Sequence, residues 1–176
     1  MKKHYQKGFS LIEVMVVVAI VAILAAIAIP SYEQMIISSR MTTQANDFFS
    51  LLQFARSEAV KRNGRVTICK SADAATCVTS GTWAQGWIVF VNIANDGSVN
   101  TGDTILKVHA ALTSGSTLVG ASGVADYISY GANGQSAQLG QFNLCSNKPT
   151  KYIGRDITLS PTGRPTVAKD TVLPCT

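Results

Sequence analysis

The chain has 176 residues, and its 15 Lys and Arg against 10 Asp and Glu give a formal net charge of +5. This length fits one domain plus an anchor. Three of the cations, Lys2, Lys3 and Lys7, lie at the N-terminus, and without them the balance is 12 against 10, or +2. The basic charge is therefore weak evidence for a nucleic-acid partner.

A long apolar segment follows the N-terminal lysines. From Val14 to Ile29, sixteen consecutive residues lack a polar side chain, which is close to the roughly 20 that cross a bilayer core. Glu13 stands at its start, where an ionised carboxylate costs about 2.5–3.5 kcal/mol and so marks a functional residue. A cleaved secretory signal peptide and an ordinary transmembrane anchor are the simpler interpretations, but neither explains Glu13.

The segment KGFSLIE (residues 7–13), with the apolar run and Pro30 behind it, resembles the class III signal of type IV pilins and type II secretion pseudopilins. The resemblance implies that prepilin peptidase cleaves between Gly8 and Phe9 on the cytoplasmic side and that Phe9 is N-methylated. The apolar segment then stays in the mature protein. Glu13 is implied to pair with the α-amino group of Phe9, in its own subunit or in a neighbour, which makes its charge tolerable in an apolar surrounding.

After Pro30 the pattern becomes amphipathic and predicts one helix from about Phe9 to Arg62, with a kink at Pro30. Asn63 and Gly64 predict its end. The apolar stripe falls at three- and four-residue steps and consists of Met41, Ala45, Phe48, Leu52, Ala55 and Ala59. We divide the chain into a cleaved leader (1–8), a transmembrane or filament-core half-helix (9–35), an amphipathic half-helix (36–64) and a β-rich head (65–176).

Short strand candidates fill the head and are separated by turn signals such as NDG (95–97) and PTG (161–163). The candidates are residues 66–69, 87–92, 104–109, 117–119, 127–129, 141–145, 152–159 and 165–168. One long helix followed by strands predicts an α+β fold, in which the helix stripe packs on one face of an antiparallel sheet.

Four cysteines, Cys69, Cys77, Cys145 and Cys175, lie beyond the apolar segment. An even number in an oxidising compartment predicts two disulfides. Of the three connectivities, we favour Cys69–Cys77 with Cys145–Cys175, because these pairs close the shorter loops. Zinc is disfavoured, since the sequence has no CxxC pair and only His109 in the exported part.

Residues 92–103 loosely resemble a calcium loop, with Asn92, Asp96, Gly97 and Asp103 at loop positions. Because Ala94 occupies a position that needs a ligand, we expect an ordinary turn. We predict neither a metal nor a cofactor. No catalytic residues are predicted either, since paired carboxylates at a plausible spacing and a Gly-rich phosphate loop are missing from the sequence.

Three stretches, FARSEAVKR (54–62), VTIC (66–69) and GWIVF (86–90), are similar to the H-type minor pilins and pseudopilins, the group that contains FimU, FimT and GspH. In the fold that this implies, Ala55 and Ala59 let the sheet approach the helix closely. Trp87 and Phe90 are expected to supply large apolar area to the helix–sheet contact.

The resemblance implies a structural protein and no enzyme: a minor type IV pilin of the tip complex that primes pilus assembly and supports twitching motility, adhesion or DNA uptake. The implied partners are prepilin peptidase, other minor pilins, the major pilin, the inner-membrane assembly platform and a tip adhesin. The implied location is the inner membrane, with one span and a periplasmic head, and then the pilus tip or a pseudopilus. An H-type pseudopilin of type II secretion is the alternative.

A DNA-binding minor pilin of natural transformation is a second alternative. Some relatives of this type carry a C-terminal Gly-Arg-x-Arg motif, of which the GRPT segment (163–166) keeps only the first arginine. The basic residues that could contact phosphates are Lys148, Lys151, Arg155, Arg164 and Lys169. A solvated surface without a nucleic-acid role is the simpler interpretation.

Overall fold

A computed structural model describes residues 8–113, 115–121, 123–146 and 153–169. It contains one long helix, α1 (Leu11–Arg62), and a short 3₁₀ turn (Trp83–Gln85). The eight strands are β1 (Val66–Lys70), β2 (Trp87–Val91), β3 (Thr104–His109), β4 (Ser116–Gly120), β5 (Tyr127–Tyr130), β6 (Gly140–Ser146), β7 (Gly154–Leu159) and β8 (Pro165–Lys169). The predicted helix and all eight strand positions are confirmed, except that Tyr152, the expected start of β7, lies outside the described residues.

The helix ends where its sequence predicts. Asn63 adopts a left-handed φ of 49°, and the amide of Gly64 donates a 3.1 Å hydrogen bond to the carbonyl of Ala59. This arrangement satisfies a carbonyl of the last turn. At Pro30 the chain remains helical, and the predicted kink there stays a prediction.

The chain divides into two compact units, Met1–Ser38 and Ser39–Thr176. In the second unit the strands form two four-stranded antiparallel sheets, with the orders β3-β2-β1-β5 and β4-β6-β7-β8. The sequence pattern led us to expect one sheet. The chain changes sheets three times, because β4 joins the second sheet, β5 returns to the first and β6 joins the second again. Apolar alternation identifies a strand but carries no information about its pairing partner.

The apolar stripe of α1 forms the core of the second unit. All six of its predicted members are at most 1% exposed, namely Met41, Ala45, Phe48, Leu52, Ala55 and Ala59. The ring of Phe48 lies 5.0 Å from Trp87 in the first sheet and 4.8 Å from Phe142 in the second, both edge-to-face. Phe48 therefore connects the helix to both sheets through favourable aromatic contacts.

Strands β1 and β2 of the first sheet are buried on both faces. Trp87 faces the helix, whereas Phe90 lies an odd number of positions further along β2 and so points to the opposite face. There Phe90 packs with Cys69 and Ile88, beneath the partly buried Cys77 and other side chains. The expectation that Phe90 contributes to the helix–sheet contact is wrong, because β2 alternates and both of its faces are covered.

Candidate functional site

The N-terminal site is built at the first turn of α1. The amide of Glu13 donates to Ser10 Oγ at 3.3 Å and to the Ser10 carbonyl at 3.1 Å, so Ser10 caps the helix. Glu13 lies three residues later, the spacing of a capping box, where a negative charge also suits the positive end of the helix dipole. The S-x-x-E spacing of Ser10 and Glu13 is a sequence signal for this cap that the predictions above did not include. Glu13 thus has a local role at the helix start beside its expected role in assembly.

Gly8 and Phe9 precede the helix and are exposed. A Cβ built on Gly8 would meet nothing within 4 Å, so nothing in the described chain requires glycine at this position. Phe9 is 80% exposed. A processing enzyme therefore has free access to this peptide bond, and any need for glycine would come from that enzyme. Cleavage here and N-methylation of Phe9 stay predictions.

The apolar surface of the first half of α1 has no cover within the described chain. Every large apolar side chain from Val14 to Ile29 is at least 50% exposed. The helix is long and apolar enough to cross a membrane, and none of its most apolar 18-residue window is buried. Such a surface gains its burial free energy only in lipid or against other apolar helices.

The predicted disulfide between Cys69 and Cys77 is confirmed. It anchors the loop after β1, which a buried cation also holds. Lys70 Nζ donates to the carbonyls of Thr79 and Gly81 at 2.9 and 3.1 Å and lies 2.9 Å from the Asp126 carboxylate. Because Lys70 is only 3% exposed, this pairing is needed to offset its desolvation.

The second disulfide involves one described cysteine. Cys145 is disulfide-bonded, whereas Cys175 lies outside the described residues. The pairing of these two cysteines therefore stays a prediction.

Asp96 and Asp103, two of the candidate calcium residues, accept hydrogen bonds from backbone amides of their own loop. The carboxylate of Asp103 accepts hydrogen bonds from the amides of Ile93 and Asn100, both at 2.9 Å. The carboxylate of Asp96 accepts from the Ser98 amide at 3.0 Å. The Asp96–Ser98 bond is that of an Asx turn, whereas the Asp103 carboxylate joins the two ends of the loop.

The structure brings together two of the basic residues considered for DNA and separates a third from them. Arg155 and Lys169 are cross-strand partners in the β7–β8 hairpin, and Arg155 Nη2 donates to Thr42 Oγ1 on α1 at 2.8 Å. Arg164 lies in the turn at the other end of this hairpin, roughly 16 Å away at about 3.3 Å per residue. Lys148 and Lys151 lie outside the described residues. DNA binding by these residues stays a prediction.

Gly163, the first residue of the GRPT segment, has a packing role. Its φ is +75°, and a Cβ added there would collide with the carbonyl of Gly134 and crowd the Tyr130 ring. Only glycine fits both the left-handed backbone and the close approach of the β7–β8 turn to the loop after β5. Packing and backbone conformation therefore explain the glycine, and no ligand is needed to account for it.

Two family models match the chain. The model described as type II transport protein GspH covers residues 44–163, and the prokaryotic N-terminal methylation motif covers residues 3–29. The first includes the second half of α1 and all strands up to β7. The second includes Gly8, Phe9 and Glu13.

Known proteins with similar sequences or structures include both fimbrial and secretion proteins. The type IV major fimbrial protein FimA of Dichelobacter nodosus is 34% identical over 84 residues, or 48% of this chain and 44% of FimA. The chain spans less than half the length of the curated relatives it matches.

Among solved structures, the minor pilin FimU of Pseudomonas aeruginosa gives a TM-score of 0.59 at 24% identity, over 74% of this chain and 89% of FimU. The minor pseudopilin EpsH of the Vibrio cholerae type 2 secretion system gives 0.53 at 13% identity, over 74% and 97%. These likenesses show a shared fold of one long helix on antiparallel sheets.

Proposed function

This chain belongs to the GspH family of type II transport proteins, and we propose that it acts as a minor type IV pilin, a structural subunit of the complex that primes pilus assembly at the tip. The observation that carries the proposal is the division of α1. Its first half exposes apolar side chains on every side, and its second half buries one apolar stripe in the head. Such a chain is built to be held in a membrane and then to pack by its first half against like helices.

Glu13 gives this packing a direction. It is the acidic residue of the first turn at the edge of an apolar surface, where an unpaired carboxylate is unfavourable. Cleavage after Gly8 by prepilin peptidase creates the α-amino group of Phe9, the cation nearest to Glu13 in sequence. A neighbouring subunit that contributes one partner of this ion pair, the carboxylate or the α-amino group, then docks with its helix in register.

The remaining partners follow from the same assignment. The helix is held in the inner membrane, with the head in the periplasm, until the assembly platform moves the subunit into the filament. The head then contacts other minor pilins, the major pilin or a tip adhesin. The chain performs no chemistry in this account.

A type II secretion pseudopilin is the second candidate, supported by the family match and by the likeness to EpsH. The fimbrial relatives and the higher TM-score of FimU support the pilus. Both candidates require the same processing and the same helix packing, so the filament system has to be identified by phenotype.

Deletion of the gene in a strain that has both systems separates the two candidates. We expect surface pili and twitching motility to be lost and then restored by the wild-type gene, while secretion of type II substrates is unchanged. Loss of secretion with normal pili would contradict the pilus assignment. Mass spectrometry of the complementing chain should find a methylated Phe9 at its N-terminus, as both candidates require.

A further inference from the structure

Six side-chain polar atoms in the head are buried without a hydrogen-bond partner among the described residues. Two of them, Trp87 Nε1 and Tyr130 OH, belong to large aromatic side chains of the core, and the other four lie at one end of the second sheet. Arg40 Nε, Gln44 Oε1, Ser116 Oγ and Ser146 Oγ make no hydrogen bond there. Gln44, Ser116 and Ser146 are 8%, 9% and 0% exposed, and the ion pairs of the described residues do not include Arg40. A buried polar group without a partner is costly and uncommon. Four of them at one end of a sheet mark a polar site that water or a ligand has to satisfy.

The four groups lie together. Arg40 and Gln44 are one helical turn apart and so are neighbours on the surface of α1. Arg40 Nη2 lies 3.9 Å from the position that a Cβ on Gly115 would occupy, which places it beside the start of β4. Ser116 in β4 is the direct register partner of Ser146 in β6. The guanidinium therefore lies at the end of the second sheet that carries both hydroxyl groups.

Both serine side chains point toward the helix. Phe142 and Ser146 are an even number of residues apart in β6 and so share one face of the sheet. The Phe142 ring packs on Phe48 of α1 at 4.8 Å, which identifies this face as the one that covers the helix. Ser116, as the register partner of Ser146, lies on the same face. The serines and Arg40 thus face one another between α1 and the strands.

The chemistry of the four groups matches an anion. A guanidinium has five N–H donors and no acceptor, and the two hydroxyl groups add two donors. Contact between Arg40 and Gln44 would satisfy one donor at most. Rotation of the Gln44 amide turns its NH₂ group to the site as well. A carboxylate, with about four lone-pair positions, matches the planar fork of arginine.

We propose that Arg40, Gln44, Ser116 and Ser146 form a binding site for one carboxylate, supplied by an acidic side chain of a neighbouring subunit. A single half-buried cation between a helix and a sheet suits one anionic group. A nucleic-acid backbone instead needs an exposed row of cations. Arg40 also lies on the same helix as the apolar run, eleven residues beyond its last residue, Ile29, and a neighbouring helix packs along that run in the proposed assembly. The choice of a neighbouring subunit as the source rests on the proposed function, whereas the carboxylate site itself does not.

An acetate titration of the ¹⁵N-labelled full chain in detergent micelles tests the site. The observable is the Arg40 Nε–Hε resonance, assigned by its absence in Arg40→Lys, with sodium chloride at equal ionic strength as the blank. Arg56 and Arg62 are matched controls, because their Nε groups already donate to Gly134 O at 2.8 Å and to Glu58 Oε2 at 2.7 Å. We expect a saturating shift at Arg40 alone. Equal, linear shifts at all three arginines would overturn the proposal.

Two further arms identify the class and source of the ligand. A tighter response to inorganic phosphate than to acetate would overturn the carboxylate assignment in favour of a phosphate-bearing partner such as DNA. Asp170 directly follows β8 in sequence and is the acidic residue of this chain chosen for the test. An Arg40 resonance that moves in Asp170→Asn before acetate is added would overturn the neighbouring subunit as the source, because the chain would then supply its own carboxylate. An unchanged resonance in Asp170→Asn supports the neighbouring subunit.

Arg40→Met separates binding from a structural role. An arginine kept for a ligand contributes no stabilising bond to the isolated chain, so we expect an unchanged or raised unfolding midpoint in micelles together with reduced incorporation into filaments. A lowered midpoint would mean that Arg40 serves the fold and would contradict the proposal. If the chain proves to work outside filaments, the incorporation result loses its meaning, but the acetate titration still decides whether the site exists.

Discussion

The two halves of α1 share one backbone conformation but differ in where their apolar side chains go. From Val14 to Ile29 these side chains are at least half exposed, whereas the stripe from Met41 to Ala59 is at most 1% exposed. An apolar surface that surrounds a helix needs cover from outside the chain, and a one-sided stripe can be covered by the chain's own sheets. Substitutions in the first half should therefore change assembly, and substitutions in the second half should change folding.

The largest expected effect separates these halves directly. Phe48→Ala removes a ring that contacts both sheets and should lower the free energy of unfolding by about 3–5 kcal/mol. Ile20→Ala, at a position that is 53% exposed, should leave the unfolding of the head unchanged within about 0.5 kcal/mol. Both values can be measured by denaturation of the full chain in micelles, followed through Trp83 and Trp87 fluorescence. Equal effects of the two substitutions would remove the distinction.

The second-largest expected loss of stability concerns the face of the first sheet that points away from α1, where Cys69 packs with Phe90. Replacing Cys69 and Cys77 together by alanine opens a loop with a sequence separation of 8. The loss should be about 2–3 kcal/mol by chain entropy. Hydrogen exchange should then accelerate at the Val78 amide, which bonds to the Lys70 carbonyl at 3.0 Å. Unchanged exchange at this amide would show that Lys70 alone holds the loop.

A smaller effect is expected at the β7–β8 turn. Gly163→Ala forces a side chain into a left-handed backbone, at about 1–2 kcal/mol, and also into the Gly134 carbonyl. Gly102→Ala is the matched control, because Gly102 also has a positive φ but a Cβ there would meet only Ile93 Cδ1 at 3.9 Å. The unfolding midpoint should fall further for Gly163→Ala than for Gly102→Ala. Equal losses would mean that conformation alone, without crowding, fixes the glycine.

Local patterns in the sequence were enough to predict the elements of this fold. The spacing of Met41, Ala45 and Phe48 defines a helix face without reference to the rest of the chain. Strand positions likewise follow from β-branched runs and turn residues. The division into two sheets could not be predicted this way, because pairing joins residues far apart in sequence. The orientation of Phe90 was missed because both faces of β2 are apolar, so alternation gave no direction.

The candidate sites also differ in whether their residues are neighbours in sequence or are brought together by the fold. Gly8, Phe9 and Glu13 form a contiguous motif and could be found from sequence, and the capping role of Ser10 was also readable from its spacing to Glu13. The group around Arg40 could not, because the fold brings its members together from α1, β4 and β6. Arg40 lies among ordinary polar residues, and only the lack of a hydrogen-bond partner for its Nε within the described chain distinguishes it in the structure.

Glu13→Gln tests the central claim, that the first half of α1 is an assembly element whose carboxylate is needed for docking and not for folding. Glutamine keeps a capping-box residue but removes the charge, and Ser10→Ala is the matched control that weakens the cap and keeps the charge. The measurement is the ratio of filament-incorporated to membrane-held chain in cells. We predict that Glu13→Gln stays in the membrane with a normal head and loses incorporation by at least about tenfold, because breaking a buried ion pair costs about 3–5 kcal/mol. Incorporation of Glu13→Gln at the level of Ser10→Ala would contradict the account.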